Sequence, residues 1–196
     1  MTGILGGSFD PPHLGHMRLA EAARDELGLD KVILIPAGAP PHKRLSGGAG
    51  ERDRLEMTRI AAEGRDWISV SDIELARSGK SYSFDTVSEL KKRFPGEKFC
   101  FICGTDMLLS LEKWYRADEL MKLCAFAAMA RDNGDLEKIE KKAKELRENG
   151  AEIFVIRKAP IVTSSSEFRS TLSPDELDPG VYEYIRRKGL YGVGKA

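Results

Sequence analysis

Short apolar segments alternate with longer amphipathic segments along most of this chain. The apolar segments predict β-strands at 2–5, 31–35, 68–70, 98–103, 125–130 and 153–156. Between them, hydrophobic residues recur at helical spacing, which predicts helices at 16–27, 51–63, 84–93, 135–148, 164–172 and 181–188. Strands that alternate with helices are typical of α/β proteins with a doubly wound, mainly parallel sheet and helices on both faces. The last two helices follow the last strand, so we expect a small helical part at the C-terminus.

Length and charge narrow the classes of protein that this pattern allows. With 196 residues the chain suits a single domain, 1–196, and its 31 Lys and Arg residues balance 31 Asp and Glu residues. A balanced charge gives no field that would draw the protein to nucleic acid or to a membrane surface. The longest apolar run, 123–130, is far shorter than the roughly 18 residues of a membrane span. No secretory signal is visible, and we therefore expect a soluble cytoplasmic protein.

Two cysteines stand three positions apart in the apolar segment 98–103. A redox or zinc role for Cys100 and Cys103 would need their sulfur atoms to converge. Side chains three positions apart in a strand point to opposite faces of the sheet, and no second ligand pair follows at zinc-site spacing. We expect both to be core residues, as is Cys124, and we expect neither a disulfide nor a metal site built by the protein.

The most informative motif follows the first predicted strand and leads directly into the first predicted helix. It reads Gly6-Gly7-Ser8-Phe9-Asp10-Pro11-Pro12-His13-Leu14-Gly15-His16. Glycines allow backbone N–H groups to approach a phosphate, and the unpaired N–H groups of a helix N-terminus favour an anion. The two histidines can both donate hydrogen bonds to phosphate oxygens. The motif therefore predicts a nucleotide phosphate site, in which the aspartate before the two prolines shapes the turn.

This motif resembles the signature of the HxGH nucleotidyltransferase superfamily. Further matches follow in order from residue 3 to residue 191, at Pro40-Pro41-His42-Lys43, 81–86, 104–106, 113–115 and 164–169. Together they resemble the bacterial nicotinate-nucleotide adenylyltransferases. The resemblance covers almost the whole chain and implies a Rossmann-like fold, in agreement with the doubly wound sheet.

The resemblance also implies a reaction and an ATP site. In that reaction, a step of NAD biosynthesis, the adenylyl group of ATP passes to nicotinate mononucleotide, and the products are deamido-NAD and pyrophosphate. The catalytic residues would be His13, His16 and Arg169, of which Arg169 binds the leaving β- and γ-phosphates. The residues assigned to ATP are Gly6, Gly7, Ser8, Phe9, His13, His16, Gly104, Asp106, Arg131, Ser165, Ser166 and Arg169. Mg²⁺ is expected to arrive on the phosphates of ATP.

The middle motifs would bind the mononucleotide. The residues assigned to it are Lys43, Tyr82, Ser83, Trp114 and Tyr115. An indole is a natural platform for a pyridine ring, and the resemblance places the nicotinate carboxylate against Ser83 and the backbone near Tyr115. Trp114 can also be interpreted as a core aromatic, because leucines precede it. Lys43 suits a phosphate of either substrate.

Several alternatives stay open at this stage. A sister adenylyl- or cytidylyltransferase of the same fold would act on nicotinamide mononucleotide or phosphopantetheine. A nucleotide-sensing module would bind without reacting, but it should have lost cationic site residues or gained a DNA-binding segment. Arg131 either flanks the adenine or precedes an ordinary turn, and the glycine-rich stretch 46–50 is either a closing loop or a plain connection. The oligomeric state is also open, and a homo-oligomer is compatible with the sequence.

Overall fold

The computed structural model describes residues 1–39, 48–130, 133–158 and 165–194. Within these ranges the strands are β1 Thr2–Gly7, β2 Lys31–Pro36, β3 Ile68–Val70, β4 Phe99–Gly104, β5 Ala125–Met129 and β6 Ile153–Ile156. The α-helices are α1 Leu14–Leu27, α2 Glu51–Ala62, α3 Ser83–Arg93, α4 Thr105–Leu109, α5 Ala117–Leu123, α6 Asn133–Glu148, α7 Ser165–Thr171 and α8 Pro179–Lys188. Every strand and helix predicted above is present, with bounds that shift by at most two residues.

The strands form one parallel sheet in the order β3-β2-β1-β4-β5-β6. The chain begins in the middle of the sheet, winds outward to β3, and then returns to place β4 beside β1. At this reversal the loops after β1 and β4 diverge, and ligands of such sheets bind in the crevice between them. The fold is therefore α/β, doubly wound and Rossmann-like, as predicted. The resemblance assigns to ATP the glycine motif after β1 and the segment 104–106 after β4, and both lie at this reversal.

Each face of the sheet packs against its own set of helices. One core joins the sheet to α3, α4, α5 and α6, and the other joins it to α1, α2, α7 and α8. Alternation along β4 sends Cys103 into the first core and Cys100 into the second, where both are buried. The two thiols therefore face opposite ways, as predicted, and all three cysteines are free. Burial raises the pKa of the Cys100 thiol to about 12, so it is protonated at neutral pH.

Small residues bring α1 close to the sheet. Ala20 and Ala23 are fully buried on its inner face, and the helix ends at Gly28, whose φ of +60° suits the left-handed cap predicted there. In the strand before it, a Cβ at Gly3 would lie only 2.9 Å from side-chain atoms of Leu29 and Ile102. This close approach holds the segment that follows α1 against the amino end of β1.

Two helices were not predicted from the sequence. With five and seven residues, α4 and α5 are too short to show a repeating apolar face. Both follow β4 and help to cover the first core. Within the described part of the chain, no helix is both long and apolar enough to cross a membrane.

Candidate functional site

The glycine motif forms a tight loop from the end of β1 to the start of α1. Phe9 has a φ of +45° and is completely buried beneath the loop. A Cβ at Gly7 would lie 3.3 Å from Cζ of Phe9, so only glycine leaves ordinary room for this ring. The same ring contacts that of His16, with centroids 4.8 Å apart. The Phe9 side chain supports the loop from inside, and the predicted contact of this residue with ATP stays a prediction.

The two histidines lie together at the start of α1. His13 is the N-cap residue and His16 is the third residue of the helix, and their ring centroids are 3.7 Å apart. The backbone N–H of His13 donates to Nδ1 of His16 at 3.1 Å, and the N–H of His16 donates to the carbonyl of His13 at 3.0 Å. Because Nδ1 of His16 accepts a hydrogen bond, the proton of its neutral ring is on Nε2. Nε2–H is then a donor that an anion can use.

Burial keeps both histidines neutral in the absence of a ligand. It lowers the pKa of His13 to about 4. Burial, followed by the charge of His13, lowers the pKa of His16 well below its ordinary value. A polyphosphate beside them would raise both pKa values, since a nearby opposite charge favours the protonated form. The pair can therefore acquire positive charge when an anion binds.

This burial predicts a loss of stability in mild acid. Between about pH 6.5 and pH 4 the unfolded chain binds a proton on each histidine and the folded chain does not. Stability should therefore fall as the pH falls, by up to about 1.4 kcal/mol per pH unit for each histidine. Urea unfolding at several pH values would measure this slope. The double variant His13→Asn, His16→Asn should have a shallower slope, and equal slopes for variant and wild type would contradict the prediction.

The second predicted phosphate-binding segment docks on the first. Oγ of Ser165, at the start of α7, donates to the carbonyl of Pro11 at 3.0 Å. Nη1 of Arg169 donates to the carbonyl of Asp10 at 2.6 Å, and its Nη2 donates to Oγ of Ser166 at 3.1 Å. Within the described ranges no carboxylate forms an ion pair with Arg169. The structure thus brings the hydroxyls and the arginine of α7 to the glycine loop, and none of the described acids forms an ion pair with the guanidinium.

Sequence reasoning missed two side chains that support the loop from its buried side. Arg54 donates from Nη1 to the carbonyl of Ser8 at 2.8 Å and is only 1% exposed. Tyr191 donates from its hydroxyl to Oδ1 of Asp10 at 2.7 Å. Arg54 stands at a buried position of the α2 pattern, in line with Met57 and further buried residues. A charged arginine at a position where the helical pattern calls for an apolar residue is the feature of the sequence that could have identified Arg54.

The middle motifs also converge. The backbone N–H of Ser81 donates to the carbonyl of Ala39 at 2.9 Å, which draws this segment towards the carboxyl end of β2. The rings of Tyr82 and Tyr115 then lie face to face at a tilt of 35°, with centroids 4.4 Å apart. Ser83 is the first residue of α3. Three residues assigned to the mononucleotide are therefore neighbours in space, although about thirty positions separate them along the chain.

The side chain of Trp114 packs partly against the first core and is partly exposed to solvent. Its ring meets Phe101 and Phe126 nearly edge-on, at centroid distances of 5.7 and 6.5 Å. Its Nε1 donates to Oγ of Ser110 at 3.4 Å, and the residue is only partly buried. Phe101 also reaches the first strand, since a Cβ at Gly6 would lie 3.6 Å from its Cζ. A single phenyl ring therefore separates Trp114 from the glycine strand, and its stacking role stays a prediction.

The segment after β4 begins a helix. Gly104 ends β4 and is the N-cap residue of α4. Thr105 is buried and donates from Oγ1 to Oδ2 of Asp135 at 3.0 Å, which ties α4 to α6. The next residue, Asp106, is exposed at the carboxyl end of the sheet. That position suits the predicted contact with the ribose of ATP, which stays a prediction.

Some of the predicted site lies outside the described residues. This applies to Lys43, Arg131 and Ser164. Among the residues that are described, no three His, Cys, Asp or Glu side chains are grouped so that they could hold a metal ion. Apart from the buried carboxylate of Asp10, the described side chains around the loop are imidazoles, hydroxyls and guanidinium groups, a set that attracts phosphate oxygens more than a cation.

Comparison with known proteins agrees with this geometry. The family model described as cytidylyltransferase-like matches residues 4–173. A protein of Listeria innocua named "probable nicotinate-nucleotide adenylyltransferase" is 38% identical over 193 residues, which is 97% of each chain. One of Gloeobacter violaceus with the same name is 36% identical and covers 97% of this chain and 96% of its own. The solved structure of Plasmodium falciparum nicotinic acid mononucleotide adenylyltransferase complexed with NaAD superimposes with a TM-score of 0.77 at 21% identity, over 100% of this chain and 98% of that one.

Proposed function

This chain belongs to the cytidylyltransferase-like family, and we propose that it is an adenylyltransferase that acts on nicotinate mononucleotide. The products would be nicotinate adenine dinucleotide (deamido-NAD) and pyrophosphate, in a step of NAD biosynthesis. The observation that carries the proposal is the docking of α7 on the glycine loop, where Arg169 contacts Asp10 beside the histidine pair. Relatives that share most of their length with this chain and bear that enzyme's name support the choice of substrate.

The reaction needs little covalent help from the protein. A phosphate oxygen of the mononucleotide attacks the α-phosphorus of ATP and forms the new P–O bond. The bond from that phosphorus to the oxygen that bridges to the β-phosphate breaks, and pyrophosphate leaves with the electron pair. The attacking group is already an anion, so no protein base is required. Catalysis then consists mainly of positioning and of stabilising charge on phosphate oxygens.

The histidine pair and Arg169 suit those two tasks. Nε2–H of His16 is a directed donor in the neutral ring, and a polyphosphate beside it would raise the pKa that burial lowers. The planar guanidinium of Arg169 fits two phosphate oxygens at once. Its present partners are a carbonyl and a hydroxyl, which a doubly charged phosphate can replace at low cost. We assign the histidines to the reacting phosphates of ATP and Arg169 to the leaving β- and γ-phosphates.

Mg²⁺ enters this scheme as part of the substrate. Carboxylates do not gather at the described part of the loop in a way that would hold a cation. Mg²⁺ commonly keeps several waters and binds to substrate phosphates. We therefore propose that MgATP is the form that binds.

The aromatic cluster suits the other substrate. Tyr82 and Tyr115 lie together at the start of α3, and Tyr115 is the residue that follows Trp114 in the sequence. A pyridine ring stacks well on such side chains. We assign the mononucleotide to Tyr82, Ser83, Trp114 and Tyr115, with Lys43 as a cation for its phosphate.

Release of pyrophosphate would test the proposal directly. The purified protein with MgATP should release pyrophosphate with nicotinate mononucleotide as partner, and more slowly with nicotinamide mononucleotide or phosphopantetheine. Preference for the amide would correct the substrate. ATP binding without turnover on any partner would favour a nucleotide sensor and would reject the proposed reaction.

We also propose that residues 1–196 form a single catalytic domain that works in the cytoplasm. Neither nucleic acid nor a membrane is among the proposed partners, and a second copy of the chain is compatible with the site.

A further inference from the structure

Two side chains from distant parts of the chain hold the glycine loop from its buried side. They are Arg54, in α2, and Tyr191, in a short turn after α8. The Arg54 guanidinium donates to the carbonyl of Ser8 at 2.8 Å, and the Tyr191 hydroxyl donates to Oδ1 of Asp10 at 2.7 Å. Arg54 and Asp10 are 1% and 3% exposed, so water has little access to either. These bonds fix the residues immediately before and after Phe9.

The loop needs such support because its backbone is strained at Phe9. A φ of +45° is unfavourable for any residue with a Cβ, and it persists only where the surroundings enforce it. The carbonyl of Asp10 also accepts the hydrogen bond from Arg169. A shift of Asp10 would therefore displace both the loop that carries the histidines and the arginine of α7.

The turn that contains Tyr191 packs against several other segments of the chain. The Tyr191 ring meets that of Phe168, in α7, edge-on at a centroid distance of 5.9 Å. A Cβ at Gly48 would lie 3.1 Å from the backbone nitrogen of Tyr191, so the segment before α2 passes close to the turn. Tyr191 also has a positive φ of 56°. The turn thus contacts the glycine loop, α7 and the segment before α2 at once.

We propose that Tyr191 and Arg54 are positioning residues of the phosphate site. They hold Ser8 and Asp10 so that His16 and Arg169 meet the phosphates of ATP in one fixed arrangement. Both act through the loop. The inference rests on the proposed function, since it takes ATP as the source of the phosphates.

The chain offers a matched control for the hydroxyl of Tyr191. Tyr184, on α8, also donates its hydroxyl to a carboxylate, Oδ1 of Asp53. The donor–acceptor distance is 2.8 Å, against 2.7 Å for the bond from Tyr191 to Asp10. That bond joins α8 to α2 and does not touch the glycine loop. Tyr191→Phe and Tyr184→Phe therefore delete the same group from the same kind of bond, and only the first affects the phosphate site.

The two variants separate positioning from stability. Tyr191→Phe should lower kcat/KM for MgATP about tenfold and raise the Kd of a non-hydrolysable ATP analogue by a similar factor, while KM for nicotinate mononucleotide stays within about twofold. A tenfold loss corresponds to about 1.4 kcal/mol, in the range of a hydrogen bond to a charged group. Tyr184→Phe should reduce the melting temperature comparably and leave both ATP parameters unchanged. Equal ATP parameters in the two variants would overturn the inference.

A second variant and a separate binding measurement cover the cases in which Tyr191→Phe does not fold or the wild-type protein is inactive. Arg54→Lys retains a positive charge beside Asp10 but shortens the reach to the Ser8 carbonyl, so it should weaken ATP binding in the same direction. This variant decides the question if Tyr191→Phe does not fold. If the wild-type protein turns over no mononucleotide, the proposed function fails, and the affinity of the variants for the ATP analogue alone decides the inference.

Discussion

Replacing His16 with alanine should lower kcat for adenylyl transfer about a hundredfold. The ring donates from Nε2 because its Nδ1 accepts the N–H of His13, and burial keeps the free ring neutral. Loss of one such donor to a developing negative charge costs on the order of 3 kcal/mol. Steady-state release of pyrophosphate at saturating MgATP and nicotinate mononucleotide would measure the effect.

A second substitution at the same position separates the two ring nitrogens. In His16→Asn the side-chain oxygen lies near the position of Nδ1 and can still accept the hydrogen bond from His13. It provides nothing at the position of Nε2. We expect His16→Asn to regain stability relative to the alanine variant and to remain about as inactive. Near-normal turnover in either variant would reject the assignment of Nε2–H to the phosphates.

Replacing Arg169 with alanine should have an even larger effect, a loss of about a thousandfold in kcat. An arginine that stabilises charge on a transferring phosphoryl group contributes about 10³ or more in related chemistry. In the described part of the chain, Arg169 is bound to a carbonyl and a hydroxyl and to no acid, so its charge is available to the leaving pyrophosphate. Single-turnover measurement with MgATP would show whether the loss occurs in the chemical step.

Two controls test this explanation. Arg169→Lys keeps the charge and loses the planar fork, so it should recover part of the activity, to within about ten- to a hundredfold of wild type. Arg59→Ala removes an equal charge from the exposed face of α2, where the ion pair of Arg59 among the described residues is with Glu56, and should leave kcat unchanged. An Arg169→Ala enzyme as active as Arg59→Ala would show that α7 carries no phosphate-binding charge.

The order and type of the main elements could be predicted because each has a local signal. The strands at 153–156 and 68–70 have the predicted bounds: the first is an apolar run, and the second alternates apolar Ile68 and Val70 with polar Ser69. The opposite orientation of Cys100 and Cys103 also follows from strand geometry alone. α4 and α5 were not predicted from the sequence, because one or two turns contain too few positions to show a helical repeat of apolar residues.

Some parts of the candidate site could be predicted from the sequence in more detail than others. The histidine pair lies in one contiguous strand–loop–helix segment, so its local geometry follows from the motif. The convergence of Ser165 and Arg169 with that loop was implied by resemblance to a family, and the structure brings these residues together. The stacked pair Tyr82 and Tyr115 was expected at the site, but the contact between the two rings had no signal in the sequence.

The sequence by itself determined the alternating α/β order and placed at the end of β1 the motif that predicts a phosphate site, because both depend on residues that are neighbours along the chain. Only the tertiary structure decided what holds that site in place. Arg54 reaches Ser8 across 46 positions, and Tyr191 reaches Asp10 across 181. A hydrogen bond between such distant residues leaves no periodicity in the sequence, because it exists only once the sheet and its two layers of helices have brought its donor and acceptor together.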